Sequence, residues 1–333
     1  MIDSNRPPVP VEGVLDDPGL VRRLVERHGP YEPVQRYVAS AEEQRLLSQN
    51  DGVDPGKGAR AADPVFVAPV FRGDWAYDAP LVDGIEPLLE NDVFRQAACK
   101  LFDAELVVPQ IVYVNLTLPI PDYDVGHTDV PAFRGIDRTH YPIWLLVAMG
   151  RSGLFERWRV PIATAVSWWF EGEGGSFTYW PEGPDRPPRT VPPTPNTAVV
   201  GDNDFMFHRA DGVGGPDVRW LRGLSLDSKL TWLGGDDWVV LDGDREVVRV
   251  GWHEVRVSVS WKAQVFRDEE DRALYTRHAD DLALEDAVTM LLDDLAGRGQ
   301  NVSRPEDPLG DGGFIAALGE AYKRTPAVQP ASH

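Results

Sequence analysis

Two histidines of the sequence are each followed two positions later by an aspartate, a spacing that can hold a metal ion. One triplet, HTD, runs from His127 to Asp129, and the other, HAD, begins at His278. Residues i and i+2 of an extended segment point to the same side, whereas in a helix they lie about 200° apart. His127 follows a β-branched stretch and a turn, and His278 lies in a segment of helical character. The first triplet is therefore the candidate ligand pair, and His278 is predicted to be a solvated residue on a helix face.

A third ligand has to come from elsewhere, and His208 is the best placed histidine. It ends the run VVGDNDFMF, which indicates a turn and then a strand whose end carries the imidazole. His140 is expected to cap an element, and His253 lies between two possible strands. Two histidines and one carboxylate form a facial triad that leaves metal positions open, as in non-heme Fe(II) sites that activate dioxygen. A closed zinc site would require a further Cys or His, and Cys99 is the only cysteine.

Four segments together resemble successive strands of the Fe(II)/2-oxoglutarate-dependent oxygenases. They are VNLTLPIPDYDVGHTDVPAF, GGSFTYWP, NTAVVGDNDFMFHR and EVRVSVSWKAQVF, within residues 105 to 267. The resemblance implies a double-stranded β-helix (jelly-roll) core. It also implies that His127, Asp129 and His208 hold Fe(II), with 2-oxoglutarate as cosubstrate and O2 as oxidant.

The family commonly binds the distal carboxylate of 2-oxoglutarate with a basic residue on a late strand, often in an Arg-x-Ser pair. Here the resemblance implies Arg256 as that clamp, with Ser258 adding a hydroxyl hydrogen bond. A planar guanidinium matches a carboxylate, and alternate residues of a strand share one face. Arg256 lies 48 positions after His208, farther than the family usually places this residue. Arg219 has the usual spacing but lies in the loop-like sequence GGPDVRWLRG, and it is the rival.

The resemblance implies oxidation of a small molecule, such as an amino acid or a secondary-metabolite intermediate. Related halogenases carry a small residue where this chain has Asp129, so the aspartate favours hydroxylation or a similar oxidation. Asn115, on the strand before the triplet, is a candidate cavity residue. The aromatic residues around GEGG are expected to be mostly core, with one or two facing the iron. Two alternatives stay open: a cupin-type metalloenzyme that does not use 2-oxoglutarate, and a non-catalytic β-sandwich binding protein with structural histidines.

The elements that must position these residues divide the chain into three parts. Residues 1 to 104 show interrupted helical spacing and are predicted to pack on the core, with one helix from Pro33 to Ser48 and a Gly/Asp-rich loop from Gly52 to Ala62. Residues 105 to 267 consist of short apolar runs between Gly, Pro and Asp clusters, which predicts an antiparallel sandwich or barrel, with an inserted hairpin near 230 to 252. Residues 268 to 333 are predicted to form helices and a loose tail. The fold class is thus a mainly β core with α-helices at both ends.

Composition excludes several classes of protein. The net charge of −20 argues against nucleic-acid and anionic-membrane partners, because neutralising phosphates requires clusters of Lys and Arg. A single cysteine forms no internal disulfide, which suits a reducing cytoplasm. No apolar stretch approaches the roughly 20 residues that a membrane span requires. The expected partner is a small-molecule substrate, and the helical end regions are expected to provide packing or a homodimer surface.

Overall fold

The computed structural model describes residues 6–37, 67–124 and 126–323. Its helices are α1 (Gly19–Arg27), α2 (Glu86–Leu89), α3 (Asp92–Phe102), α4 (Ile143–Ser152), α5 (Glu269–Thr276), α6 (Leu284–Gly297) and α7 (Gly312–Ala321). Its strands are β1 (Val9–Glu12), β2 (Glu32–Pro33), β3 (Val70–Tyr77), β4 (Ala79–Pro80), β5 (Leu106–Thr117), β6 (Ala132–Phe133), β7 (Arg159–Val160), β8 (Ile162–Trp169), β9 (Phe177–Trp180), β10 (Arg189–Val191), β11 (Thr197–Gly201), β12 (Phe207–Ala210), β13 (Lys229–Gly234), β14 (Asp237–Asp242), β15 (Arg245–Gly251) and β16 (Arg256–Phe266).

Two antiparallel sheets face each other and form the centre of the molecule. The large sheet has eight strands in the order β1-β11-β8-β16-β5-β3-β2, with β4 beside β3. The small sheet has the order β10-β9-β12. Trp168 of the large sheet packs with Phe177 and Tyr179 of the small sheet, so the two layers share apolar contacts. The predicted class, a jelly-roll core with flanking helices, is confirmed.

The central strand β16 has one apolar face and one polar face, because its side chains alternate. Val257, Val259 and Trp261 are fully buried in the apolar core behind the large sheet. On that side Trp261 packs against Phe94 of α3, with ring centroids 5.4 Å apart, and its indole N–H donates to the carbonyl of Leu89 at 2.8 Å. The polar residues between them point to the opposite face, toward the small sheet. The N-terminal helices therefore seal one face of the sheet and leave the other for a cavity.

The C-terminal helices form a second apolar core with α4. Met149, Leu291, Phe314 and other buried side chains make up this core. An ion pair connects the C-terminal region to the segment after β6. Nε and Nη2 of Arg134, which follows β6, donate to the two carboxylate oxygens of Asp280 at 2.8 and 3.0 Å.

Some predicted elements differ in the structure. The first part of the chain is less helical than its spacing predicts, since β1, β2 and β3 join the large sheet. Residues 38–48 of a predicted helix starting at Pro33, the predicted loop from Gly52 to Ala62, and the tail after residue 323 lie outside the described residues. His278 does not lie on a helix face, because α5 ends at Thr276 and His278 has a left-handed φ of 53° in the following turn.

The boundaries between the three parts of the chain, after residues 104 and 267, stay predictions. Near 230 to 252, β13, β14 and β15 form a separate three-stranded sheet.

Candidate metal centre

Backbone pairing brings His127 and His208 together at one edge of the small sheet. His127 N–H donates to His208 O at 2.8 Å, and His208 N–H donates to His127 O at 2.9 Å. The two imidazole centroids lie 4.6 Å apart. His208 is the second residue of β12, so the prediction that it ends a strand starting near Asp204 was wrong. Residues 202–206 instead form a turn, in which Phe205 and Met206 donate to the carbonyl of Asp202.

The ring of His208 is held in the form that can bind a metal. Its Nδ1 lies 2.9 Å from the carbonyl oxygen of Met206 and must donate, because a carbonyl only accepts. Burial, together with repulsion from His127, lowers the pKa of His208 to about 4. The imidazole is therefore neutral at pH 7, with the lone pair on Nε2, which is the state that a divalent metal requires.

Asp124 ties the two histidine segments together. Its Oδ1 accepts from the backbone N–H of Gly126 at 2.9 Å and lies 3.3 Å from His127 Nδ1. Its Oδ2 accepts from the backbone N–H of Ala210 at 3.2 Å. Burial would raise the pKa of Asp124, but His127 and these hydrogen bonds lower it, so the carboxylate stays charged. A carboxylate on the second nitrogen of a metal-binding histidine is a common way to orient the ring.

Asp129 completes the cluster. Its Oδ1 lies 4.0 Å from His208 Nε2, and one ligand atom from each of His127, Asp129 and His208 lies within 4.8 Å of the others. Its backbone N–H donates to Asn203 O at 2.8 Å, which fixes the segment that follows His127. Burial opposes the charge of Asp129, but Lys262 and the two histidines outweigh it and lower the pKa of this carboxyl. The residues that the sequence selected are thus brought together, and their role as metal ligands stays a prediction.

A cavity of about 660 Å³ opens beside the cluster, between the two sheets. Arg256 and Ser258 line it from the large sheet, and Phe177 and His208 line it from the small sheet. Asn115 also lines it, and its Oδ1 is buried without a hydrogen-bond partner among the described residues. The ring of Phe177 lies 5.5 Å from that of His208, so one of the aromatic residues near GEGG does face the cluster.

Arg256 is a buried cation that has no carboxylate partner within 4 Å in the described part of the chain. Its side chain is held by neutral groups: Nε donates to the carbonyl of Gly175 at 2.6 Å, and Nη1 donates to Ser258 Oγ at 3.1 Å. Burial lowers the pKa of Arg256 to about 10, which leaves it charged at neutral pH. Burying a charge is costly unless a partner compensates it, so the cavity beside this side chain is suited to an anion. Arg219, the rival, is exposed and does not line the cavity.

The structure also places residues in the site that sequence reasoning did not single out. Tyr123 lines the cavity, and burial raises its pKa to about 12, so its hydroxyl remains a donor at neutral pH. Asp124 lies three positions before His127 in the turn, and this short spacing could have indicated a contact between its carboxylate and the imidazole. Lys262 contacts Asp129, and the alternation in RVSVSWK would have placed it on the face of Arg256 and Ser258.

No protein-family model matches the sequence, and no curated protein matches it. Solved structures do match. One is an oxidoreductase of the 2OG-Fe(II) oxygenase family from Burkholderia pseudomallei (13% identity, 68% of this chain and 80% of that chain, TM-score 0.34). Another is the non-heme alpha-ketoglutarate-dependent epimerase SnoN from nogalamycin biosynthesis (16%, 77% and 76%, TM-score 0.38). A third is HygX from Streptomyces hygroscopicus with nickel, 2-oxoglutarate and hygromycin B bound (9%, 78% and 83%, TM-score 0.36). The chain is thus similar to solved structures whose names place them in, or close to, the family that its motifs resemble, the Fe(II)/2-oxoglutarate-dependent oxygenases.

Proposed function

We propose that this chain is a non-heme Fe(II)- and 2-oxoglutarate-dependent oxygenase that oxidises a small molecule. The observation that carries the proposal is that one cavity contains both a His-Asp-His cluster and the buried Arg256, which has no carboxylate partner within 4 Å among the residues that the structure describes. His127, Asp129 and His208 would hold the metal. Arg256, with Ser258, would bind the distal carboxylate of 2-oxoglutarate. When bound, the iron, the cosubstrate and dioxygen together supply the oxidant that attacks a C–H bond of the substrate.

The residues of this chain would then serve to bind, orient and exclude water. Met206 O and Asp124 fix the orientation of the two imidazoles. Arg256 is itself fixed by Gly175 and Ser258, so its guanidinium is positioned before any ligand arrives. Preorganised charge of this kind binds a carboxylate without the cost of ordering a flexible side chain.

The cavity supports a small-molecule substrate, because about 660 Å³ lies within the range of ordinary ligand pockets. We propose hydroxylation, or a similar oxidation, of an amino acid or a secondary-metabolite intermediate, by analogy with the family. In the described residues, none of the helices is long and apolar enough to cross a membrane.

The deciding experiment is an anaerobic titration of the metal-free protein with Fe(II) and then 2-oxoglutarate, following the weak visible charge-transfer band of the chelate. A saturable band with one iron per chain supports the proposal. Iron binding without the band would favour a cupin-type metalloenzyme, and the absence of both would favour a non-catalytic binding protein. The buried arginine favours the first outcome over the cupin-type alternative, which has no use for it.

A further inference from the structure

The two carboxylate oxygens of Asp129 face different partners. Oδ1 lies toward the imidazole of His208, at 4.0 Å from its Nε2. Oδ2 accepts a hydrogen bond from the ammonium group of Lys262 at 2.7 Å. Both side chains are largely buried, with 18% of Asp129 and 17% of Lys262 exposed. The ion pair is therefore shielded from solvent, and the oxygen that it engages is not the one that faces the histidine.

We propose that Lys262 is a positioning residue that reserves Oδ2 of Asp129, so that the carboxylate offers one oxygen, Oδ1, to the metal. This inference rests on the proposed function. Carboxylates bind metals through one oxygen or through both, and the choice depends on what else the second oxygen contacts. In this chain the second oxygen has a charged donor at short distance, which makes the hydrogen bond a strong one.

The choice matters because the proposed chemistry needs open positions on the metal. A facial triad uses three positions of an octahedral ion and leaves three. A chelating cosubstrate takes two of these, and the last is needed for dioxygen. If Asp129 bound through both oxygens, that last position would be filled by protein. Lys262 would thus protect the position on which the oxidation depends.

The placement of Lys262 follows from the strand that carries it. Lys262 lies on β16 in register with Thr164 of β8 and Ile111 of β5, on the same face as Ser258 and Arg256. Its Nζ lies 2.7 Å from Asp129 Oδ2, so the strand itself brings the donor to the carboxylate.

The test compares Lys262→Met, which removes both donor and charge, with Lys262→Gln, which keeps an N–H donor without the charge. Lys229→Met is the matched control, because Lys229 is an exposed lysine on strand β13. Each anaerobic protein is titrated with Fe(II) and 2-oxoglutarate. Nitric oxide is then added as a probe for an open metal position, and its iron complex is quantified by electron paramagnetic resonance. Circular dichroism and thermal unfolding report the fold.

We expect Lys262→Met to keep its iron, with affinity equal to or greater than that of the unmodified protein, because a nearby positive charge is removed. Its yield of the nitric oxide complex per bound iron should fall roughly tenfold, a loss of about 1.4 kcal/mol at that position. Lys262→Gln should recover most of the yield, and Lys229→Met should match the unmodified protein. A purely structural role would instead lower thermal stability and leave the yield per bound iron unchanged.

Two results would overturn the inference. One is an unchanged nitric oxide yield in Lys262→Met. The other is an equal loss in the Gln and Met variants, which would show that charge alone matters. If the Met variant does not fold, Lys262→Leu takes its place, and an unchanged yield per bound iron in that variant overturns the inference. Failure of the proposed function is recognised separately, because the unmodified protein itself would then bind no iron or no 2-oxoglutarate.

Discussion

His127 and His208 exchange both of their backbone hydrogen bonds, at 2.8 and 2.9 Å, although they are far apart in the sequence. In an antiparallel pair of this kind the two residues are directly opposite each other, so their side chains are fixed in register. The spacing of the two imidazoles is therefore set by the main chain, and side-chain packing only adjusts it. A metal that bound here would meet two ligands already in place.

The first prediction concerns the metal. His127→Ala and Asp129→Ala are expected to lose stoichiometric Fe(II) while remaining folded, because two protein ligands hold a divalent ion too loosely. His278→Ala is the control, since His278 begins the other H-x-D triplet yet is exposed and pairs with Asp281. Metal analysis after anaerobic loading gives the answer. Unchanged iron in the His127 and Asp129 variants would reject the ligand assignment.

The second prediction concerns the cosubstrate. Arg256→Ala should weaken 2-oxoglutarate binding roughly 30-fold or more, with iron retained, because it leaves a buried carboxylate without its charged partner. Ser258→Ala removes one hydrogen bond and should weaken binding only by about two- to tenfold. Arg219→Ala should have no effect, because Arg219 is exposed and outside the cavity. A titration of the charge-transfer band measures all three, and a larger loss in Arg219→Ala would transfer the clamp to that residue.

The third prediction tests how Arg256 is held. A Cβ on Gly175 would lie 2.5 Å from Arg256 Cδ, and one on Gly183 would meet no atom within 4 Å. Both glycines have a positive φ, so alanine costs each roughly 1–2 kcal/mol of backbone strain. Both variants should therefore lose some thermal stability, but only Gly175→Ala should also weaken 2-oxoglutarate binding. Equal affinities in the two variants would show that Arg256 is not displaced.

The fourth prediction concerns pH and Asp204. This carboxyl is buried, and neither of its oxygens has a hydrogen-bond partner among the described residues. Burial, together with repulsion from Asp202, raises the pKa of Asp204 well above its ordinary value. The folded chain therefore binds more protons than the unfolded chain between the ordinary and the raised pKa, and this group lowers stability as the pH rises through that window.

Asp204→Asn removes the titration and should raise the free energy of unfolding at pH 8 by on the order of 1–3 kcal/mol, because the buried charge and its repulsion from Asp202 are removed. Near pH 4, where the native carboxyl is protonated, the gain should largely disappear. Denaturant unfolding at both pH values measures the difference. A gain of equal size at pH 4 and pH 8 would show that the ionised carboxylate is not its cause.

The sequence predicted which side chains the fold brings together better than it predicted the elements that carry them. The H-x-D spacing and the Arg-x-Ser alternation are local, so His127, Asp129 and the face shared by Arg256 and Ser258 could be inferred without a structure. The strand of His208 was misplaced because the buried apolar residues Phe205 and Met206 look like strand, whereas their backbone turns.

Strand β3 was missed for a related reason. Its sequence VFRGDWAY carries Arg72 and Asp74, which share an ion pair, and Arg72 lines the cavity. These polar residues interrupt the apolar alternation that marks a half-buried strand. The alternation along β16 places Lys262 on the cavity face but does not show its partner Asp129, and the hydrogen bond between Asp124 and Ala210 exists only in the folded chain.

One face of β16 carries a polar side chain at every second position: Arg256, Ser258, Ser260 and Lys262. The pairing of β16 with β5 is regular from Arg256 to Lys262, and it shifts only between Lys262 and Ala263, where β5 carries Pro109. A one-residue slip before that point would turn every later member of the series to the helix-covered face. Insertions or deletions within residues 256–262 should therefore remove these side chains from the cavity. The extra residue at the shift, Gln110, lies on β5, whereas β16 stays in register with β8 through Gln264. Tolerance to a change in length is thus expected near Gln110 of β5 and not in the facing part of β16.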